Sequence, residues 1–404
     1  MPDAITAMNL DDWSSVHNRS FEEVALDIIS STQFYRNRQR DPRYLNKLLR
    51  MAETLDLWQR GRLSESQLRE VMSTSDFPIL FGDILDRRLL AQYQNATTSW
   101  QQYATRGTVP DFRQSRLIAI DGLQTPFYPS AYPKPEGKNV SYDNSLAETG
   151  YTTQVQVYER GVAFSWRMMI NRALNFLSRV PTLLSNGATR TEEKFATQLF
   201  IDSAGNGPNA TFFSNTNKNL VNITNGATSN NPALSVQALR DALNVMYRQV
   251  DSGGDPIEIT GLTLLIPPLL QITAEEILRA TNFEITPATT AAGTRYVTPN
   301  WAQRINPVVN WYLPIVDTSA NKHTTWYLFA DPNVGRPAME MTFLEGYEQP
   351  SLWQKAPNTM RMGGAVDPTM GQFEDMSTHI KAMHIVGGTL VDPKMAVVSN
   401  GSGS

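Results

Sequence analysis

The chain has 404 residues, 41% hydrophobic and 9% aromatic, enough apolar material for one large core or several lobes and too much for a disordered chain. Its 35 basic and 39 acidic residues give a net charge of −4, so it lacks the basic surplus of proteins that grip nucleic acid through phosphates. With no cysteine, it has no disulfide framework, thiolate nucleophile or cysteine-based metal site.

Residues 20–72 read as helical. Phe21, Val24, Leu26 and Ile28 open an apolar segment that Asp41-Pro42 punctuates. Leu45, Leu48, Leu49, Ala52, Leu55 and Trp58 then recur at the threes and fours of a buried helical stripe, closed by Gly61. Six basic residues against one acid lie between Arg36 and Arg50. A solvated helix face is the plain reading of that run; an arm touching nucleic acid and an assembly contact are the alternatives. Residues 76–105 are expected to be helical again, with Ile84, Leu85, Leu89, Leu90 and Tyr93 facing inward.

The texture changes at Pro110. Pro126, Pro129, Pro133 and Pro135, with Gly122 and Gly137, forbid a helix and break a central strand, so an irregular or hairpin excursion is expected up to Tyr142. Tyr151 to Trp166 alternates as a strand: Tyr151, Thr153, Val155 and Val157 on one face, then Val162, Phe164 and Trp166. The parity shift predicts a bulge or tight turn at Arg160-Gly161. A long helix is expected from Pro181 to Asp202, with Leu184, Ala188, Phe195 and Leu199 inward and Glu192, Glu193 and Lys194 outward. The Asn-, Gly-, Ser- and Thr-rich run 205–231 reads as loop.

Ser235 is a plausible N-cap for a helix bearing Val236, Leu239, Leu243, Met246 and Val250, stopped by Gly253-Gly254. Leu262–Ile266 is a continuous apolar run, as a strand buried on both faces requires, and Pro267-Pro268 ends it. A helix through Ala274, Ile277 and Leu278 follows, then strands at 307–316, 324–329, 338–343 and 378–386, the last closed by Gly387-Gly388. The fold class is therefore α+β.

The residues offer little chemistry. His379 and His384 lie five apart on a strand and point to opposite faces, and no metal-binding His-Glu-x-x-His, glycine-rich phosphate loop or serine elbow occurs. Adjacent acids such as Glu192-Glu193 and Glu275-Glu276 diverge on a helix and cannot share a proton. Catalytic, cofactor-binding and metal residues are all expected to be absent. No basic segment followed by an apolar run opens the chain, and no stretch reaches the roughly 18 apolar residues of a membrane span, so a soluble protein without a membrane partner is expected. Only 18% of residues are charged, which suits a surface covered by neighbours and equally a weakly charged monomer.

Several stretches between 75 and 401 carry a family resemblance. They are Ser75-Asp76-Phe77-Pro78-Ile79-Leu80-Phe81-Gly82, Thr149-Gly150-Tyr151, Phe164-Ser165-Trp166-Arg167, Trp326-Tyr327-Leu328-Phe329-Ala330-Asp331-Pro332, Phe343-Leu344-Glu345-Gly346, Val386-Gly387-Gly388-Thr389-Leu390-Val391-Asp392-Pro393 and Ser399-Asn400-Gly401. In this order they resemble tailed-bacteriophage major capsid proteins of the Hong Kong 97 fold, in the subfamily related to the Mu-like major head subunit.

The resemblance implies five parts: an N-terminal helical arm (1–107), an extended loop (108–150), a peripheral domain with a long spine helix (151–232), an axial domain (233–335) and a return to the peripheral domain (336–404). It implies a structural, non-enzymatic subunit that self-assembles into pentamers and hexamers around double-stranded DNA, with scaffolding, portal and decoration proteins as further partners. The expected location is the virion, after assembly in the host bacterial cytoplasm. Tyr128, Tyr132, Lys134 and Lys138 would make inter-subunit contacts from the extended loop. The same fold also serves encapsulin-like compartment shells, the alternative reading.

Overall fold

A computed structural model describes residues 77–121, 147–165, 179–251, 256–279, 283–285, 295–297, 304–333, 337–356, 358–360 and 371–403, with positions 57, 167, 254 and 362 isolated among the rest. The helices expected over 20–72, and Trp166, lie outside the described residues. The first elements are α1 (Phe77–Asn95), β1 (Thr105–Val109), β2 (Ser115–Asp121), β3 (Ala147–Thr153), β4 (Val155–Ser165) and α2 (Val180–Phe200). Next come α3 (Val236–Tyr247), β5 (Leu262–Ile266), α4 (Gln271–Arg279), β6 (Phe283–Ile285), β7 (Arg295–Val297), β8 (Ile305–Val309) and α5 (Leu313–Val316). The chain ends with β9 (Trp326–Ala330), β10 (Met339–Leu344), β11 (Ser351–Gln354), β12 (Ser377–Leu390) and β13 (Ala396–Ser399). The observed class is α+β, as expected.

The chain divides into two compact units, one of residues 1–97, 157–191 and 346–385, the other of 98–156, 192–345 and 386–404. In the first unit, β11 pairs antiparallel with β12, from Ser351 opposite Met383 to Gln354 opposite Ile380. Asp86 on α1 accepts a hydrogen bond from the Leu352 amide at 3.0 Å, tying the helix to that strand.

The second unit is built around the sheet β13-β9-β5-β8, with β5 and β8 parallel and the other pairs antiparallel. Every residue of β5 and β9 is buried, as their continuous apolar runs require. Tyr103, Phe200, Phe213, Tyr327 and Phe329 pack ring against ring, with centroids 4.9–6.2 Å apart. The helix α3 starts where Ser235 accepts the Ala238 amide at 3.1 Å. It ends at Tyr247, before the expected stop at Gly253-Gly254, so Val250 lies beyond it.

The Asn-rich run 205–231 is a loop of turns held by side chains. Asn219, fully buried, donates to the Phe212 and Pro393 carbonyls at 2.9 Å each and accepts the Ser214 amide at 2.9 Å. Asp241, 2% exposed on α3, accepts from the Thr228 amide and hydroxyl and from Gln237. Side chains thus satisfy backbone groups that a packed loop would otherwise bury unpaired.

Several expectations need correction. Residues 76–105 are not one helix: α1 stops at Asn95, a single 3₁₀ turn covers Trp100–Gln102, and β1 begins at Thr105. The cause lies in α2, whose buried stripe is Leu184, Ser185, Ala188, Glu192, Ala196, Thr197 and Phe200. Glu192 therefore points inward, only 1% exposed, and accepts from the Trp100 indole at 2.9 Å. Glu193, also read as outward, accepts from both the amide and the hydroxyl of Ser99. The two carboxylates hold a turn in place where the helix was expected to continue.

β4 runs through Arg160-Gly161 as one strand, without the tight turn. Its inward parity changes earlier, between buried Val155 and half-buried Tyr158, leaving Val157 exposed. The strand expected at 307–316 is β8 followed by the short helix α5. Pro314 in the first turn of α5 fits a helix start and breaks a ladder.

Gly387-Gly388 does not close β12, which continues to Leu390 and pairs with β10 from Phe343 opposite Val386 to Met339 opposite Leu390. A Cβ on Gly387 would sit 2.3 Å from the Gln154 carbonyl oxygen, and one on Gly388 2.7 Å from that of Glu340. The pair marks close backbone approach, not a strand end.

Three outcomes follow. Gly387→Ala should cost about 1–3 kcal/mol of stability through overpacking against backbone, read as a lower urea midpoint. Trp100→Phe should cost about 2–4 kcal/mol, combining a lost donor to Glu192 with a core cavity.

The third concerns Glu193, whose carboxyl burial holds above its ordinary value of 4.5 despite the donation from Ser99. The folded state keeps that proton to higher pH than the unfolded chain. The stability it contributes is complete below the unfolded value and is lost as pH rises through the folded one. Relative to Glu193→Gln, the wild-type urea midpoint should therefore fall as pH is raised from about 4 to about 7. A midpoint difference that stays flat across this range would refute the assignment.

Candidate assembly surfaces

β2 and β3 form a separate two-stranded sheet, in register from Ser115 opposite Thr153 to Asp121 opposite Ala147. It is the stem of the excursion expected from the proline-rich stretch. Tyr128, Tyr132, Lys134 and Lys138 lie beyond that stem, outside the described residues. A second small hairpin joins β6 to β7, with Phe283 opposite Val297 and Ile285 opposite Arg295. Isolated two-stranded hairpins are marginal in water and draw stability from whatever packs on them.

The sequence reading missed one constellation with a catalytic look. His379 Nε2 lies 2.7 Å from Ser377 Oγ and 3.0 Å from Asp375 Oδ2. A nucleophile relay needs the serine on one ring nitrogen and the acid on the other. Here one nitrogen faces both, and Asp375 also accepts the Ser377 amide at 3.1 Å. The arrangement is a side-chain turn that starts β12. The Ser377 hydroxyl, with His379 assisting, holds the solvent-exposed Asp375 carboxyl below its usual range.

A groove of about 600 Å³ opens on the same unit, lined by Gly161, Ala163, Trp353, His379 and Lys381. On it Lys381 donates to Glu159 at 2.7 Å, an exposed ion pair worth little to stability. No group of three or more His, Asp or Glu among the described residues could hold a metal. No helix among them is long and apolar enough to cross a membrane.

The described surface is distinctive for its large apolar side chains. Phe373 is 73% exposed, Trp311 66%, and Met360, Leu269, Ile272, Ile315 and Trp353 are each at least half exposed. Sequence periodicity could not have found them, because they sit in turns and at element ends where no apolar stripe is defined. Their chemistry is that of contact, not catalysis.

No curated protein matches the chain. Among solved structures, it resembles an empty GTA particle capsid at 14% identity over 75% of this chain and 89% of that one, with a TM-score of 0.44. A chain of Gordonia phage Cozz is 14% identical over 74% of this chain and 84% of that one, at 0.39. A virus-like particle from Pyrococcus furiosus is 10% identical over 78% and 97%, at 0.40. These are distant likenesses, and the assignment rests on the sequence family. The model of the phage capsid protein family matches residues 149–399, well over half of the chain. That stretch takes in β4, α2, the sheet of β13, β9, β5 and β8, and the strands β10, β11 and β12. The chain belongs to the phage capsid protein family: it is a structural subunit of a phage capsid, and its place is the virion.

Proposed function

We propose that the chain is the major capsid protein of a tailed phage, self-assembling into pentamers and hexamers that close around double-stranded DNA without catalysing a reaction. The carrying observation is the family match over residues 149–399, which contains most of both described cores. In this reading the arm of residues 1–107 lies along a neighbour in the part before α1, its described end from α1 to β1 packing within the subunit, and 108–150 reach over an adjacent subunit from the β2–β3 stem. There Tyr128, Tyr132, Lys134 and Lys138 would meet the partner. Residues 151–232 and 336–404 form the peripheral domain with α2 as its spine, and 233–335 the axial domain.

A two-stranded stem gains from such a partner what its own sheet cannot supply. With a net charge of −4, contact with packaged DNA would be loose and non-specific. Scaffolding, portal and decoration proteins are the further partners, and assembly takes place in the host bacterial cytoplasm. The encapsulin-like alternative uses the same subunit architecture around a protein cargo; the family match favours the capsid.

Expression of the chain alone and with candidate scaffolding proteins, followed by negative-stain electron microscopy, checks this. Closed angular shells, or five- and six-membered rings that convert to shells, are expected. A persistent 45.2 kDa monomer under all conditions would overturn the proposal.

A further inference from the structure

The parallel strands β5 and β8 end together: Ile266 lies opposite Val309, and the Asn310 amide donates to the Ile266 carbonyl at 2.9 Å. The two connections that leave this end carry Leu269 and Ile272 on one side and Trp311 and Ile315 on the other. All four side chains are exposed by 62–72%. The stretches nearest the strand ends are uncharged, 267–274 reading PPLLQITA and 310–316 reading NWYLPIV; the first charges beyond them are Glu275 and Glu276 on α4 and the buried Asp317. The turn after β8 is held by its own polar groups: Tyr312 donates its amide to the Asn310 side chain at 2.8 Å, and Asn310 is itself 1% exposed.

The four exposed side chains that leave this sheet end together present roughly several hundred Å² of apolar surface. That is a large share of the about 800 Å² that each partner contributes to a standard-size interface. Uncharged stretches with an exposed tryptophan, rimmed by Glu275 and Glu276, have the composition of an interface core with a polar edge. A charged ligand such as nucleic acid would find no counter-charge in these two stretches.

We propose that this end of the β5–β8 pair is an inter-subunit contact, covered in the shell by a second copy of this chain. The inference rests on the capsid reading, which supplies many copies of one surface. A closed shell also requires heterologous contacts, in which a patch on one copy meets a different surface on the next. Trp311 would be the anchor of the contact, with Leu269, Ile272 and Ile315 around it.

The chain contains no cysteine, so a single introduced thiol reports on one place. Ile272→Cys and Trp311→Cys, made separately, should match the parent in circular dichroism as free subunits, because both positions are largely exposed. Maleimide labelling is then compared between free subunits and particles assembled from this chain alone. Protection by about tenfold or more in the particles, at both positions, is expected for residues at the centre of a contact. Equal labelling rates in particles and subunits would overturn the contact and leave the shell intact. Protection that arises only after a second protein is added would assign the patch to that protein instead. Failure of the parent chain to form any particle, alone or with candidate scaffolding proteins, would remove the capsid reading and the contact with it.

Discussion

The adjacent carboxylates Glu192 and Glu193 set the course of the second unit. Successive residues on a helix point about 100° apart, so two neighbouring acids reach two different targets. Glu192 takes the Trp100 indole and Glu193 takes Ser99, which fixes a single turn between a helix and a strand. That turn delivers Tyr103 into the aromatic cluster, stacked on Phe329 at 5.3 Å, and starts β1 in parallel register with β10. Asn310 completes the arrangement by donating to Thr197 at 2.8 Å, joining the helix to the end of β8. Burying a carboxylate is costly, and here hydrogen-bond donors offset the cost in exchange for a defined path of the chain.

How much of this was legible in the sequence depends on which force decides each element. Where burial decides, reading was direct: β5 and β9 are unbroken apolar runs, and both are wholly buried strands. Where a local hydrogen bond decides, it was also direct, as at the Ser235 cap of α3. Tertiary contact defeated it elsewhere. Glu192 looked outward because a carboxylate is polar, and only the distant Trp100 makes it an inward residue. Gly387-Gly388 looked like a stop because paired glycines often are; the Gln154 and Glu340 carbonyls that require glycine there are far away in sequence.

The assembly surfaces were less legible for a related reason. A proline-rich stretch announces that it will not join a core, but carries no signal for the β2–β3 pairing that flanks it. Exposed Trp311, Phe373 and Met360 carry no periodic signal, since periodicity records the core of one chain and not the contacts between chains. Composition did carry a trace: with a charged fraction of 18%, the stretches 267–274 and 310–316 that directly follow β5 and β8 carry no charge.

These features have a common logic. A shell subunit needs a rigid body and adhesive edges, and the two draw on different residues. Rigidity comes from buried polar groups that are satisfied locally, such as Asn219, Asp241 and Asn310, which hold loops and turns without needing a regular element. Adhesion comes from apolar side chains that those same loops leave exposed. An ordered loop loses little conformational entropy when a partner docks, so each exposed tryptophan or isoleucine on it contributes more of its burial energy to association. The polar bonds inside the subunit thus prepare its apolar contacts outside, and weakening the former should loosen the shell even where no contact residue is touched.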